Sequence, residues 1–214
     1  MIRNVVFDLG GVLVDLDLDR CQAAFRAIGL EQIGQLIDPC HPNAMMGRLE
    51  AGELSWAETC EEMRRLTGNR TVTDDEIAGA LCAFLARVPV EKLRAIERLR
   101  RRGIRTYVLS NNNPVGMAAI RKLCAADGRP MEAYFDKIYV SCEMKQLKPS
   151  PEIFRKMLED SGMRAEETLF VDDSPRNVAA AAALGFATCC PKNGEDFTPV
   201  LDAIAPAVLP HEKK

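Results

Sequence analysis

The sequence predicts an α/β protein built on a doubly wound parallel sheet, with a helical segment inserted after the first strand. Three features carry that expectation. Short, almost continuously apolar runs recur at 4–7, 104–110, 137–140, 168–171 and 186–190, as strands covered on both faces do. From residue 90 onward these runs alternate with stretches of helical apolar spacing, the pattern of crossover units in a parallel sheet. Residues 18–87 show helical spacing alone, so they read as an insert and not as a continuation of the sheet.

The first strand, "NVVF", ends at Asp8 and runs into the glycine pair Gly10 and Gly11. The insert closes with a helix that opens on a capping box, Thr73 with Glu76, and carries Ile77, Leu81 and Leu85 on one face, and Pro89 ends it. Val90, Leu93, Ile96 and Leu99 form the apolar stripe of a helix stopped at Gly103, and "IRTYVLS" is a second buried strand ending at Ser110. A helix near 117–126 leads to the third strand, Lys137–Val140. Ser150 and Pro151 supply an N-cap and first-turn signal for a helix bearing Ile153, Phe154, Met157 and Leu158. "TLFV" is the fourth strand and stops at Asp172 and Asp173; an alanine-rich helix ends at Gly185, and "FATCC" is a short fifth strand. The core is therefore expected over 1–17 and 88–214 and the helical insert over 18–87, with the tail "LPHEKK" frayed.

Composition narrows the function. With 214 residues, 47% hydrophobic and 28% charged, the chain is long enough for one sizeable core plus a small lobe. A net charge of -3 gives no electrostatic basis for binding nucleic acid or an anionic membrane. The basic run "RLRRRG" falls at a helix C-terminus, where cations complement the dipole and face water. Eight cysteines without a CxxC spacing argue against a zinc site or a redox motif and are expected to be reduced, buried small hydrophobes. No stretch is long and apolar enough for a membrane helix, and Arg3, Asn4 and Asp8 break any signal-peptide pattern, so a cytoplasmic protein is expected.

In a doubly wound sheet, ligands bind beyond the carboxyl ends of the strands. Those ends supply Asp8, Ser110, Asp172 and Asp173, and Lys148 lies in the loop after the third strand. Taken singly, each has an ordinary structural use: turn or cap for the aspartates, cap for Ser110 with Asn111, exposed loop for Lys148. Together they combine carboxylates for a divalent cation, a hydroxyl and an ammonium. That set suits a phosphate whose oxygens are neutralised by metal and lysine while a carboxylate attacks phosphorus.

"VVFDLGG", "VLSNNN", "LKPSPEIF" and "FVDDSPRNVAAA", in that order, resemble the four motifs of the haloacid dehalogenase (HAD) superfamily of hydrolases. The helical insert is similar to that family's first type of α-helical cap, and "EAGELSWAE" resembles the turn and helix start common in such caps. The resemblance implies a Rossmann-like core and Asp8 as a nucleophile forming an aspartyl-phosphate. It also implies Ser110, Asn111 and Lys148 at the phosphate, and magnesium held by Asp8, the Gly10 backbone carbonyl and Asp173. Asp172 stands where many relatives have glycine, and Asn177 where many have a second acid. The implied activity is magnesium-dependent hydrolysis of a small phosphorylated metabolite, with a sugar phosphate as one candidate. Two alternatives stay open: a metal-independent dehalogenase, and a phosphate-binding or regulatory protein weakened by Gly10.

Gly10 matters because the family's usual aspartate there also serves as general acid and base. Its replacement is expected to be an adaptation of the turn, glycine supplying φ > 0, with lost acid catalysis as a side effect. Asp15 or a water molecule is then left to move the proton.

Overall fold

The computed structural model describes residues 1–36 and 45–204. Strand β1 (Asn4–Phe7) is followed by a short β2 (Asp15–Leu16), helices α1 (Leu18–Ala27), α2 (Glu31–Leu36), α3 (Met45–Glu50), α4 (Trp56–Thr67) and α5 (Asp74–Cys82), and strand β3 (Leu85–Arg87). The chain then alternates through α6 (Val90–Arg101), β4 (Arg105–Ser110), α7 (Pro114–Cys124), β5 (Lys137–Val140) and α8 (Ser141–Met144). It ends with α9 (Pro151–Ser161), β6 (Thr168–Val171), α10 (Pro175–Ala183), β7 (Ala187–Cys189) and α11 (Thr198–Ile204).

Five strands form one sheet in the order β5-β4-β1-β6-β7, and every pairing within it is parallel. This is the α/β doubly wound architecture expected from the apolar runs. β1 lies at the centre, with Phe7 opposite Val108 on one side and Val171 on the other. Its two neighbours are reached by crossovers in opposite directions, so the crevice of the topological switch opens at the end of β1, where Asp8 emerges.

The strands are buried on both faces because successive side chains point to opposite sides. Val5 and Phe7 join a layer with Leu93, Ile96, Leu99, Met117, Ile120 and Leu201, while Val6 joins Ile153, Phe154, Met157 and Phe186 on the other. Helices α1–α5 bring a third, separate cluster that includes Phe25, Ile33, Met63 and Ile77. Two capping boxes start its longer helices, Ser55 with Glu58 on α4 and the expected Thr73 with Glu76 on α5.

The structure corrects several local expectations. Leu85 is not on α5; that helix ends at Cys82, and Leu85 pairs with Leu16 in an antiparallel β2–β3 ribbon. The returning chain meets its own exit point, where the Asp17 N–H donates to the Phe84 carbonyl at 2.9 Å, so cross-strand bonds replace helical ones. Helix α7 begins at Pro114, earlier than its apolar stripe suggests, because the Asn113 side chain accepts from the N–H groups of Val115 and Gly116. Cys190 is exposed and Cys82 and Cys189 are half-buried, so not all cysteines are core residues; Cys40 and the tail "LPHEKK" lie outside the described residues. Among the described residues no helix is long and apolar enough to cross a membrane.

Candidate active site

The centre of the site is Lys148, buried in the loop between α8 and α9 and joined to Pro149 by a cis peptide bond. Its Nζ donates to Asp172 Oδ2 at 2.7 Å and to the Leu109 carbonyl at 2.9 Å, and lies 3.0 Å from Asp8 Oδ1. An ammonium has three donors, and here each has an acceptor. The loop itself is tied down by Asn111, whose amide accepts from the Lys148 N–H at 2.9 Å and donates to the Lys148 carbonyl at 2.9 Å. The structure thus brings Asn111 to Lys148 as a backbone tether.

Strand register places the acids. One step beyond Phe7, Asp8 donates its own N–H to the Val171 carbonyl at 2.8 Å, and its Oδ1 accepts from the Leu9 N–H at 2.7 Å. Asp172, one step beyond β6, is completely buried. Its Oδ1 accepts from the Ser174 N–H at 2.9 Å and from Asn177 Nδ2 at 3.0 Å, and Nδ2 also reaches Oδ2 at 3.2 Å. Asn177 therefore serves Asp172, and an acid at 177 would set two carboxylates against each other. Asp172 is consumed in bracing Lys148, whereas Asp173 is only half-buried beside it. Ser110, 2% exposed, ends β4 on the neighbouring strand.

Oxygens of Asp8, Asp172 and Asp173 all lie within 4.8 Å of one another. Three carboxylates facing a single ammonium leave an excess of negative charge, and the acids register it. Burial pushes Asp8 up to about 7 against the pull of Lys148, with Asp172 adding to the rise. Burial and then Asp172 raise Asp173 as well. Burial alone would lower Lys148, yet the Asp8 and Asp172 carboxylates outweigh it and hold the ammonium above its ordinary value. Oxygen donors converging with too little positive charge are what a hard divalent cation requires, so the residues present fit magnesium.

The glycine pair divides its duties differently from expectation. Gly11, not Gly10, holds the left-handed backbone, at φ +72, and a Cβ there would overlap the Asp173 carboxylate. Gly10 lies outside that region; a Cβ on it would meet only Leu16, at 3.4 Å from Cδ1 and 3.7 Å from Cδ2, which is ordinary contact. The turn therefore explains Gly11 and leaves Gly10 sterically free. Gly11→Ala is expected to lower stability by about 1–2 kcal/mol through left-handed strain and to drive Asp173 from its place. Denaturant unfolding together with magnesium titration of the variant checks both effects.

Asp15 is no free acid. Burial works to raise its carboxyl, but hydrogen bonds from Arg87 at 2.8 Å and Lys92 at 3.1 Å outweigh that and hold it below the usual range. Sequence reasoning missed a different acid, Glu50, at the end of α3. Burial first and the Asp8 carboxylate second push Glu50 up to about 8 against the opposing pull of Lys148, and its backbone carbonyl accepts from the Ser141 hydroxyl at 2.6 Å. Its only trace in the sequence is its position as the first residue of "EAGELSWAE".

The model of the haloacid dehalogenase-like hydrolases matches residues 2–185, spanning every residue of this site. The chain belongs to that family. The HAD-like chain is 39% identical to the D-ribitol-5-phosphate phosphatase of Bacteroides thetaiotaomicron, over 95% of this chain and 98% of the relative. Among solved structures it is similar to a HAD-like family hydrolase from Porphyromonas gingivalis, with a TM-score of 0.89, 41% identity and coverage of 97% of this chain and 99% of that one. It is also similar to a HAD family enzyme from Bacteroides thetaiotaomicron solved with magnesium and inorganic phosphate, with a TM-score of 0.87, 36% identity and coverage of 94% and 99%.

Proposed function

We propose that this HAD-like hydrolase is a magnesium-dependent phosphatase of a small phosphorylated metabolite, with polyol and sugar phosphates as its substrate class. The observation that carries the reading is the buried Lys148 ammonium, within 3.0 Å of Asp8 Oδ1 and 2.7 Å of Asp172 Oδ2, at the end of the central strand. The identity to a D-ribitol-5-phosphate phosphatase along nearly the whole chain supports the substrate class. A related enzyme solved with magnesium and inorganic phosphate supports the cofactor.

In this reading Asp8 is the nucleophile. Lys148 and the Leu9 N–H both hold Oδ1, so the second oxygen is the one directed at phosphorus. Its attack forms an O–P bond to Asp8 as the bond to the leaving oxygen breaks, and the alkoxide departs as the alcohol after taking a proton. Water then attacks the phosphorus of the aspartyl-phosphate, releasing inorganic phosphate and restoring the Asp8 carboxylate. The Ser110 hydroxyl binds a phosphate oxygen, the Lys148 ammonium balances the charge at Asp8 and the phosphate, and Asn111 keeps Lys148 in place through its backbone. Asp172 fixes the ammonium between the two acids, and Asn177 fixes Asp172. Asp8, Asp173 and the Gly10 carbonyl would hold magnesium, which supplies positive charge for the phosphate oxygens and for the crowded carboxylates. Residues 18–87 act as the cap over this cleft.

A panel of phosphomonoesters, assayed with magnesium and with chelator, tests the reading. Phosphate release that needs magnesium and favours pentitol or sugar phosphates is expected. Release indifferent to chelator, or halide release from 2-haloacids without phosphatase activity, contradicts it.

The open space at Gly10 gives a second test. Gly10→Asp is expected to fold with stability close to the parent and, by displacing Leu16 slightly, to set a carboxylate near the leaving oxygen. General acid catalysis is worth about 10²–10⁴-fold, so turnover of alkyl phosphates is expected to rise while aryl phosphates respond less. Equal rates toward both substrate types in a stable variant would show that proton transfer does not limit the parent.

A further inference from the structure

We propose that Lys92 and Asn193 are positioning residues for magnesium: from outside the site, their side chains clamp the turn of residues 9–16 so that the Gly10 carbonyl is set in place for the cation. The proposal rests on the magnesium-dependent reading above and deepens it by naming what presets the backbone ligand.

The turn does little to hold Gly10 by itself. The Gly11 N–H donates to the Val14 carbonyl at 2.9 Å and the Val14 N–H to the Leu9 carbonyl at 2.7 Å, so both bonds flank Gly10 and neither includes it. Among the described residues the Gly10 carbonyl receives no hydrogen bond, which leaves its lone pairs for a ligand. Glycine also carries no side chain by which to anchor its own peptide. The geometry therefore has to be imposed by groups outside the turn.

Lys92 grips the middle. It lies in the first turn of α6, only 4% exposed, and its Nζ donates to the Val12 carbonyl at 2.5 Å and to Asp15 Oδ1 at 3.1 Å. The ammonium also stands 5.5 Å from the centre of the Phe197 ring. Asn193 grips the end. Its side-chain carbonyl accepts from the Leu16 N–H at 2.9 Å and its amide donates to the Leu16 carbonyl at 3.0 Å, and Leu16 is the side chain that a Cβ on Gly10 would meet. The beginning of the turn is fixed by β1, through the Asp8 N–H bond to the Val171 carbonyl. Lys92 makes no hydrogen bond or ion pair with Asp8, Asp172 or Asp173 among the described residues, so it acts through the backbone it holds.

Stability alone is a poor reason for this lysine. Burial of an ammonium carries a desolvation cost, and a cation in the first turn of a helix faces the positive end of the dipole. An apolar side chain of the same length would avoid both. A buried ionic group that adds little stability can still specify one conformation. The conformation specified here is the turn that leaves β1 behind the nucleophile and presents Gly10, and a ligand set is effective only when the groups around it hold it in place.

Calorimetric titration of the full chain with magnesium chloride, without substrate, tests the proposal. Lys92→Met is expected to bind magnesium about tenfold more weakly and Asn193→Ala, a change in an exposed loop, about threefold more weakly, the scale of losing one hydrogen-bonded clamp. In turnover, Lys92→Met should need correspondingly more magnesium for its half-maximal rate and regain most of the parental kcat at saturating magnesium. Met157→Ala is the control, because it opens a cavity on the face of the sheet opposite Lys92 and lowers stability without touching the turn. Its magnesium affinity should equal that of the parent. Parental affinity in either clamp variant, or an equal loss in Met157→Ala, overturns the proposal. Should Lys92→Met fail to fold, Asn193→Ala carries the test with the same two outcomes. A parent that takes up no magnesium removes the reading on which the proposal rests, whereas a parent that binds it beside unaffected variants overturns the clamps alone.

Discussion

Asp8→Asn is expected to reduce turnover by about 10⁴–10⁶-fold while leaving the fold intact, the scale of loss when a covalent nucleophile is removed. The amide keeps the shape of the carboxylate, so the Leu9 N–H and Lys148 can still be satisfied by its oxygen at Oδ1. It also relieves the crowding that pushes Asp8 up to about 7 through burial and Asp172, so thermal stability should not fall. Chemistry alone is lost: a neutral amide oxygen does not displace an alkoxide from phosphorus. Single-turnover phosphate release and thermal unfolding, measured on the same preparation, check both halves.

Lys148→Met should damage stability and activity together. The ammonium is fully buried between two carboxylates, and removing one partner of a buried pair costs about 3–5 kcal/mol because the remaining charge has no compensation. Activity should fall by at least about 10²-fold, since a preorganised positive group at the phosphate is lost. The pH dependence has a definite sign. In the parent, Asp8 has a folded value of about 7 against 3.8, so the folded state binds its proton more tightly and stability from this group falls as pH rises through that window. Without Lys148 the folded Asp8 and Asp173 carboxyls bind protons more tightly still, and the fall steepens. Chelated Lys148→Met, unfolded by urea at about pH 5 and pH 7.5, should therefore lose more stability between the two than the parent. A deficit that is the same at both values would mean that the ammonium does not oppose the rise of Asp8.

The sheet was legible because its central strands are simple. β1, β4 and β6 are apolar runs buried on both faces, and each ends in a polar residue, so Asp8, Ser110 and the Asp172–Asp173 pair could be read directly as strand-end groups. Lys148 was legible from the motif "LKPSPEIF", though nothing in it shows that the lysine is buried against Leu109. Division of labour within a motif was legible only in part: the resemblance singles out Asp173 for the metal, but the bracing of Lys148 by Asp172 does not show in the sequence. Asp172 and Asp173 are adjacent and chemically identical, and only the fold turns one toward Lys148 and Asn177 and leaves the other half-exposed. Gly10 and Gly11 are likewise indistinguishable until φ shows which of them makes the turn. Leu85 fitted the stripe of α5 at helical spacing, and the tertiary pairing with Leu16 overrode that local pattern. Glu50 was hidden for another reason: its neighbours are distant in sequence, and a glutamate at the end of a helix in a polar turn is commonplace.

The most direct measurement is the identity of the phosphorylated group during turnover. The protein would be mixed with a polyol phosphate and magnesium, quenched in acid within the first turnovers, reduced with borohydride to convert an acyl phosphate to the alcohol, and mapped by peptide mass spectrometry. Conversion of Asp8 alone to homoserine, absent with chelator and absent in Asp8→Asn, is the expected result. Phosphate release with Asp8 unconverted at every quench time, or conversion at another carboxylate, would contradict the assignment of Asp8 as the nucleophile.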